Sequence, residues 1–129
     1  MTSAVLDASA VIALLKGERG AGEVAALVAN AAMGVFNHAE VVSHFIHLGA
    51  PIDEIRAMLG AMPYRLVAAD EALAWEAGAL RNTTSVAGLS LGDRFCLALA
   101  KRLDVPACTA DRAWSEVAGI VGAKVLVIR

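Results

Sequence analysis

The chain has 129 residues, 58% of them hydrophobic, and a formal net charge of −2. That length suits one core of ordinary domain size, so a single domain over residues 1–129 is expected, and the apolar share supplies enough material for a sheet covered on both faces. No basic region precedes the first apolar run, which Asp7 interrupts, and the longest uncharged stretch, about residues 24 to 39, contains Asn30, Gly34, Asn37 and His38. A secretory leader and a membrane span are both set aside on these grounds, leaving a cytoplasmic protein with no membrane partner as the expectation. Cys96 and Cys108 lie in apolar runs and read as small buried hydrophobes rather than a disulfide.

In chain order, strand and helix signals alternate, with no repeat, low-complexity segment or linker. Strands are predicted near 3–6, 34–37, 64–68, 106–109 and 124–128, where β-branched or aromatic residues cluster between turn signals. Helices are predicted over 8–17 and 21–32, then 38–48 and 51–62, with Gly49 as a stop and Pro51 suited to a first turn. Three more follow at 70–81, 90–103 and 112–118. Short strands separated by helical crossovers imply an α/β fold with a mostly parallel sheet.

Four carboxylates stand where strands end or helices begin: Asp7 in LDAS, Glu40 in NHAEVV, Asp93 in SLGDRF and Asp111 in CTADRAW. The carboxyl edge of a parallel sheet gathers such residues into one crevice. Crowded carboxylates repel one another unless a cation sits among them, and oxygen-only ligation selects hard ions such as Mg2+ or Mn2+. The chemistry suggested is metal-dependent phosphodiester hydrolysis. Each acid also has a capping role open to it: Asp7 or Ser9 before the first helix, Asn37 with Glu40 and Ser90 with Asp93 at capping-box spacing, and Asp111 before the helix of Trp114.

LDASAVIALLK at 6–16, AEVV at 39–42, LSLGDRFCLALA at 89–100 and VPACTADRAW at 105–114 resemble, in order, the four acidic motifs of the PIN-domain nucleases, specifically the VapC-type toxins of toxin–antitoxin modules. The likeness runs along essentially the whole chain, and no motif acid is missing. It implies a PIN-like three-layer α/β/α sandwich with a five-stranded sheet and an RNA endonuclease leaving a 5′-phosphate and a 3′-hydroxyl. It also implies homodimers and silencing by a small cognate antitoxin.

By role, Asp7, Glu40, Asp93 and Asp111 are the expected metal ligands, with Asp111 an outer or second-metal ligand. Thr109 and Ser9 are expected to hydrogen-bond a ligand carboxylate or bound water from behind. Arg94 and Arg112, each next to a proposed ligand, are the candidates for RNA phosphate contacts, with ordinary solvated helix charge as their alternative. Setting aside four ligand charges turns the net −2 into +2, which answers the objection that an acidic chain suits RNA poorly. Glu40 with His44 and His47 on one helix face offers a zinc alternative. Trp75 reads as core or interface, and Trp114 as the anchor of its short helix. Two other functions stay open: a noncatalytic interaction module with the same fold, and a phospho-acceptor α/β domain, for which the surroundings of Asp7 lack the usual second acid.

Overall fold

A computed structural model describes residues 1–129. In chain order it runs β1 (Ala4–Leu6), α1 (Ala8–Lys16), α2 (Ala21–Leu27), β2 (Ala31–Gly34), α3 (Val35–His47), α4 (Ile52–Gly60) and β3 (Arg65–Val67). Then come α5 (Glu71–Ala79), α6 (Arg81–Thr84), α7 (Leu91–Leu103), β4 (Ala107–Thr109), a 3-10 segment Arg112–Glu116, α8 (Ala118–Val121) and β5 (Val125–Val127). The five strands form one sheet in the order β3-β2-β1-β4-β5, every pair parallel. The fold is the α/β arrangement expected, with parallel pairing throughout.

Side chains alternate across the sheet with period two, so each strand feeds two cores. Val5, Ala32 and Ala107 point to one face, packing with Leu97, Leu99, Trp114 and Val121. Leu6, Met33 and Cys108 point to the other, with Val11, Val24, Val41 and Ile55. Helix α7 is buried at every position from Cys96 to Ala100, because it lies between the sheet and α5. Its alanines and Ala77 of α5 let the two helices approach closely. No helix is long and apolar enough to cross a membrane.

Several boundaries differ from expectation. The second strand is Ala31–Gly34 rather than 34–37, and the helix after it starts at Val35 rather than 38. Ala31, Ala32 and Met33 favour helix by intrinsic propensity, but this strand is buried along its whole length between β1 and β3, where small side chains fit. The helix predicted to 32 accordingly stops at Leu27 and tightens into a 3-10 turn, Val28–Asn30. Near the end of the chain, the helix expected at 112–118 is a 3-10 segment followed by the separate α8. Gly49, at φ +90°, ends α3 as expected, while Pro51 occupies the N-cap of α4 rather than its first turn.

The order of strands places the functional question. From β1 the chain moves outward through β2 to β3, then returns to add β4 on the other side of β1. The crevice beyond the carboxyl ends of β1 and β4 is therefore the point where ligands bind in open parallel sheets.

Candidate active site

Asp7 follows β1 directly and stands in the N-cap position of α1, yet its side chain makes no cap hydrogen bond. It is 4% exposed and turns into the crevice instead. Two hydroxyls hold it: Ser9 Oγ donates to Asp7 Oδ2 at 2.6 Å and Thr109 Oγ1 donates to the same oxygen at 3.0 Å. Each hydroxyl is itself oriented by a backbone N–H, that of Ala110 onto Ser9 Oγ and that of Asp111 onto Thr109 Oγ1. An ionised carboxylate only accepts, so both contacts with Asp7 use the hydroxyl protons. The loop after β4 thus helps to hold the carboxylate that follows β1.

Glu40 lies in the second turn of α3, half-buried against the start of α7. Asn37 Nδ2 donates to Glu40 Oε1 at 2.9 Å and to the carbonyl of Gly92 at 2.9 Å. The capping box expected of Asn37 and Glu40 does not form, because α3 begins at Val35 and Asn37 is already inside it. Ser90 and Asp93 do form one: the Ser90 N–H donates to Asp93 Oδ2 at 2.9 Å and the Asp93 N–H to Ser90 Oγ at 3.2 Å. Asp111 caps the 3-10 segment through the Ala113 N–H at 3.0 Å and is exposed. Two of the acids therefore serve as caps.

The electrostatics tie three of them together. Burial raises the Asp7 carboxyl from 3.8 to about 6, its two hydroxyl bonds opposing and the charge of Asp93 adding to the rise. Glu40 is raised by burial, with Asp7 and Asp93 adding repulsion against the Asn37 bond. Asp93 is raised by burial against its Ser90 bonds, with the charge of Asp111 contributing. Four chain segments thus bring acids within each other's field. None of the chain's ion pairs involves them.

The donor set suits a hard divalent cation. It offers carboxylate oxygens alone, the protein's hydrogen bonds fall on one oxygen each of Asp7, Glu40 and Asp93, and the repulsion among them is what a cation relieves. The acids have not closed into a finished cage, since no three His, Cys, Asp or Glu side chains stand close enough to hold an ion unaided. Nor do they line any of the four hollows of the surface, which lie along α5, between α5 and α7, at the α3–α4–β3 groove and at the amino edge of the sheet. The site is a shallow crevice.

The remaining residues are placed as follows. Arg94 Nε donates back to the Ser90 carbonyl at 3.2 Å, and exposed Arg112 donates through Nε to the Arg129 carbonyl at 3.3 Å. His44 packs edge-on against Phe45, His47 is exposed, and no zinc group forms with Glu40. Trp114 is fully buried, whereas Trp75 is 74% exposed and not in the core. Both cysteines are free and buried, and burial pushes the Cys108 thiol up to about 11. The sequence offers Asn37 as a cap and gives Gly92 no functional group, so neither is legible there as part of a site.

Among curated proteins, none matches this chain. Solved structures do, across nearly its whole length. A chain of a toxin–antitoxin complex from Klebsiella pneumoniae superposes with a TM-score of 0.76 at 21% identity, covering 98% of each chain. One of DNA-bound VapBC from Salmonella typhimurium gives 0.76 at 13% identity, covering 100% of each. One of FitAcB from Neisseria gonorrhoeae gives 0.75 at 16% identity, covering 97% of each. At these identities the likeness is one of fold. The PIN domain family model matches residues 4–120, and the chain belongs to that family.

Proposed function

We propose that this chain is a divalent-metal-dependent endoribonuclease, the toxin of a toxin–antitoxin module. The observation that carries the reading is the gathering of Asp7, Glu40 and Asp93, from three separate elements, into one mutually repelling set at the switch point of the sheet. Stability alone gives no reason to bury Asp7 beside other carboxylates with no cation in reach. A metal-dependent phosphodiester hydrolase needs such an array.

Asp7, Glu40 and Asp93, with Asp111 at the exposed rim, would hold Mg2+ or Mn2+. A bound ion supplies an activated water and neutralises charge developing on phosphate. The chain's own part is to preorganise the acids: Ser9 and Thr109 fix Asp7, Asn37 fixes Glu40, and the Ser90 box fixes Asp93. No serine, cysteine or histidine nucleophile is required. Arg112, exposed one residue from Asp111, is assigned to an RNA phosphate, and Arg94 more weakly because its guanidinium is turned toward its own helix start. An open crevice admits a polymer from the side. Neighbours described as toxin–antitoxin, VapBC and FitAcB structures support a cognate antitoxin as partner, and pairing as a homodimer is proposed from the family resemblance alone.

Capping by Asp93 and Asp111 favours a second reading, a noncatalytic interaction module. Induced expression followed by sequencing of RNA 5′ ends separates the two. A nuclease leaves new 5′-phosphate ends at recurring sites, absent for Asp7→Asn. An unchanged RNA population favours the module.

A further inference from the structure

We propose that Asn37, with Gly92 opposite it, is a positioning residue that sets the separation of Glu40 and Asp93 before any ion arrives. The inference rests on the nuclease reading and concerns how its site is built. Asn37 is 1% exposed, and both protons of its Nδ2 are spent on the site, one on Glu40 Oε1 and one on the Gly92 carbonyl. The opposite amide orientation would set a carbonyl oxygen against a carboxylate and another carbonyl, so the surroundings settle which end faces Glu40. Its Oδ1 is left buried without a partner. A buried acceptor left unpaired while both donors are satisfied marks a residue held for what its donors do.

Gly92 closes the other side. A Cβ there would lie 2.5 Å from both carboxylate oxygens of Glu40, so this carboxylate rests on bare backbone of the first turn of α7. The next residue is Asp93, whose carboxylate is locked to the same turn by Ser90. One amide therefore joins the carboxylate of α3 to the backbone that carries the carboxylate of α7. Aspartate at position 37 would add a third repelling charge, and alanine would leave Glu40 without its only hydrogen-bond donor.

The test compares wild type, Asn37→Ala, Gly92→Ala, Glu40→Gln and Asn37→Ala/Glu40→Gln, read by Mn2+ affinity from calorimetry and by kcat and KM on an RNA that wild type cleaves. Removing a group that orients a metal ligand typically weakens metal affinity about 10–100-fold. Asn37→Ala should do so and lower kcat at least about tenfold, with KM within about twofold. Gly92→Ala should reproduce the loss from the other side; alanine favours helix, and the three atoms nearest its methyl all belong to the carboxylate end of Glu40, which can turn aside, so this variant carries the test if Asn37→Ala fails to fold. Because Asn37 acts through Glu40, adding Asn37→Ala to Glu40→Gln should cost less than about twofold more. Wild-type affinity and kcat in Asn37→Ala and Gly92→Ala, or losses that multiply in the double variant, overturn the clasp while leaving the nuclease intact. A wild type that neither binds Mn2+ nor cleaves RNA overturns the nuclease reading and the clasp with it.

Discussion

Replacing Asp7 by asparagine should stabilise the metal-free protein at neutral pH. The Asp7 carboxyl stands at about 6 in the folded chain against an ordinary 3.8. Between those values the folded state binds more protons than the unfolded one, so stability falls as pH rises. The contribution is fully present below about pH 4 and lost as pH passes 6. At about 1.4 kcal/mol per pH unit, the buried charge costs about 3 kcal/mol at pH 7.5, a ceiling because solvent and relaxation screen part of it. Asparagine keeps an acceptor for Ser9 and Thr109 while removing the charge. For a domain of this size the gain is a rise in Tm of roughly 10 °C at most. The assay is thermal unfolding in chelator from pH 4 to 7.5. Wild type should lose Tm toward neutral pH, and Asp7→Asn should lose less and melt higher at pH 7.5, the two curves converging near pH 4. Glu40 and Asp93 titrate as a set with Asp7, so the difference between the curves carries the argument rather than either alone. An Asp7→Asn protein melting below wild type at pH 7.5, with a wild-type Tm flat across this range, would show that Asp7 is stabilised as an anion where it sits.

Other expectations follow from single contacts. Manganese at about a hundred times its dissociation constant should stabilise wild type by about 2.7 kcal/mol, and Asp93→Asn should lose most of that gain; equal shifts in both proteins would remove Asp93 from the ligand set. Ser90→Ala should destabilise by about 0.5–2 kcal/mol through loss of the box at the head of α7, measured by urea unfolding in chelator, and no change would mean that water replaces the cap. Arg112→Ala should weaken RNA binding and flatten its salt dependence without altering Mn2+ affinity, whereas an unchanged salt slope returns Arg112 to the solvated surface. Leu97→Ala should cost about 2–5 kcal/mol, since this side chain is fully buried between sheet and helix.

Much of the candidate site is legible in the sequence because its residues mark boundaries. Asp7 ends an apolar run, Ser90 and Asp93 announce a helix by their spacing, and Thr109 and Asp111 close the next strand. Local chemistry of that kind can be read from neighbours in the chain. Strand β2 was shifted because Ala-Ala-Met carries no strand preference, and only its place between β1 and β3 makes it extended. That shift of three residues is why Asn37 looked like a cap rather than a buried amide. Gly92 cannot be singled out from the sequence at all, since what crowds a side chain there is the carboxylate of Glu40, far away in sequence. Trp75 shows the same limit from outside: its exposure depends on what α5 leaves uncovered. At Asp93 capping does not exclude the other role, since one carboxylate oxygen holds the helix start while the group lies within the field of Asp111.

The most direct measurement is cleavage of a defined RNA by purified protein with Mn2+, with chelator, and with Asp7→Asn in Mn2+. If the acids form a metal-dependent hydrolytic centre, wild type with Mn2+ yields fragments bearing 5′-phosphates, while chelator and the substitution each reduce the rate by orders of magnitude. Cleavage that persists in chelator, or at the wild-type rate in Asp7→Asn, would contradict it.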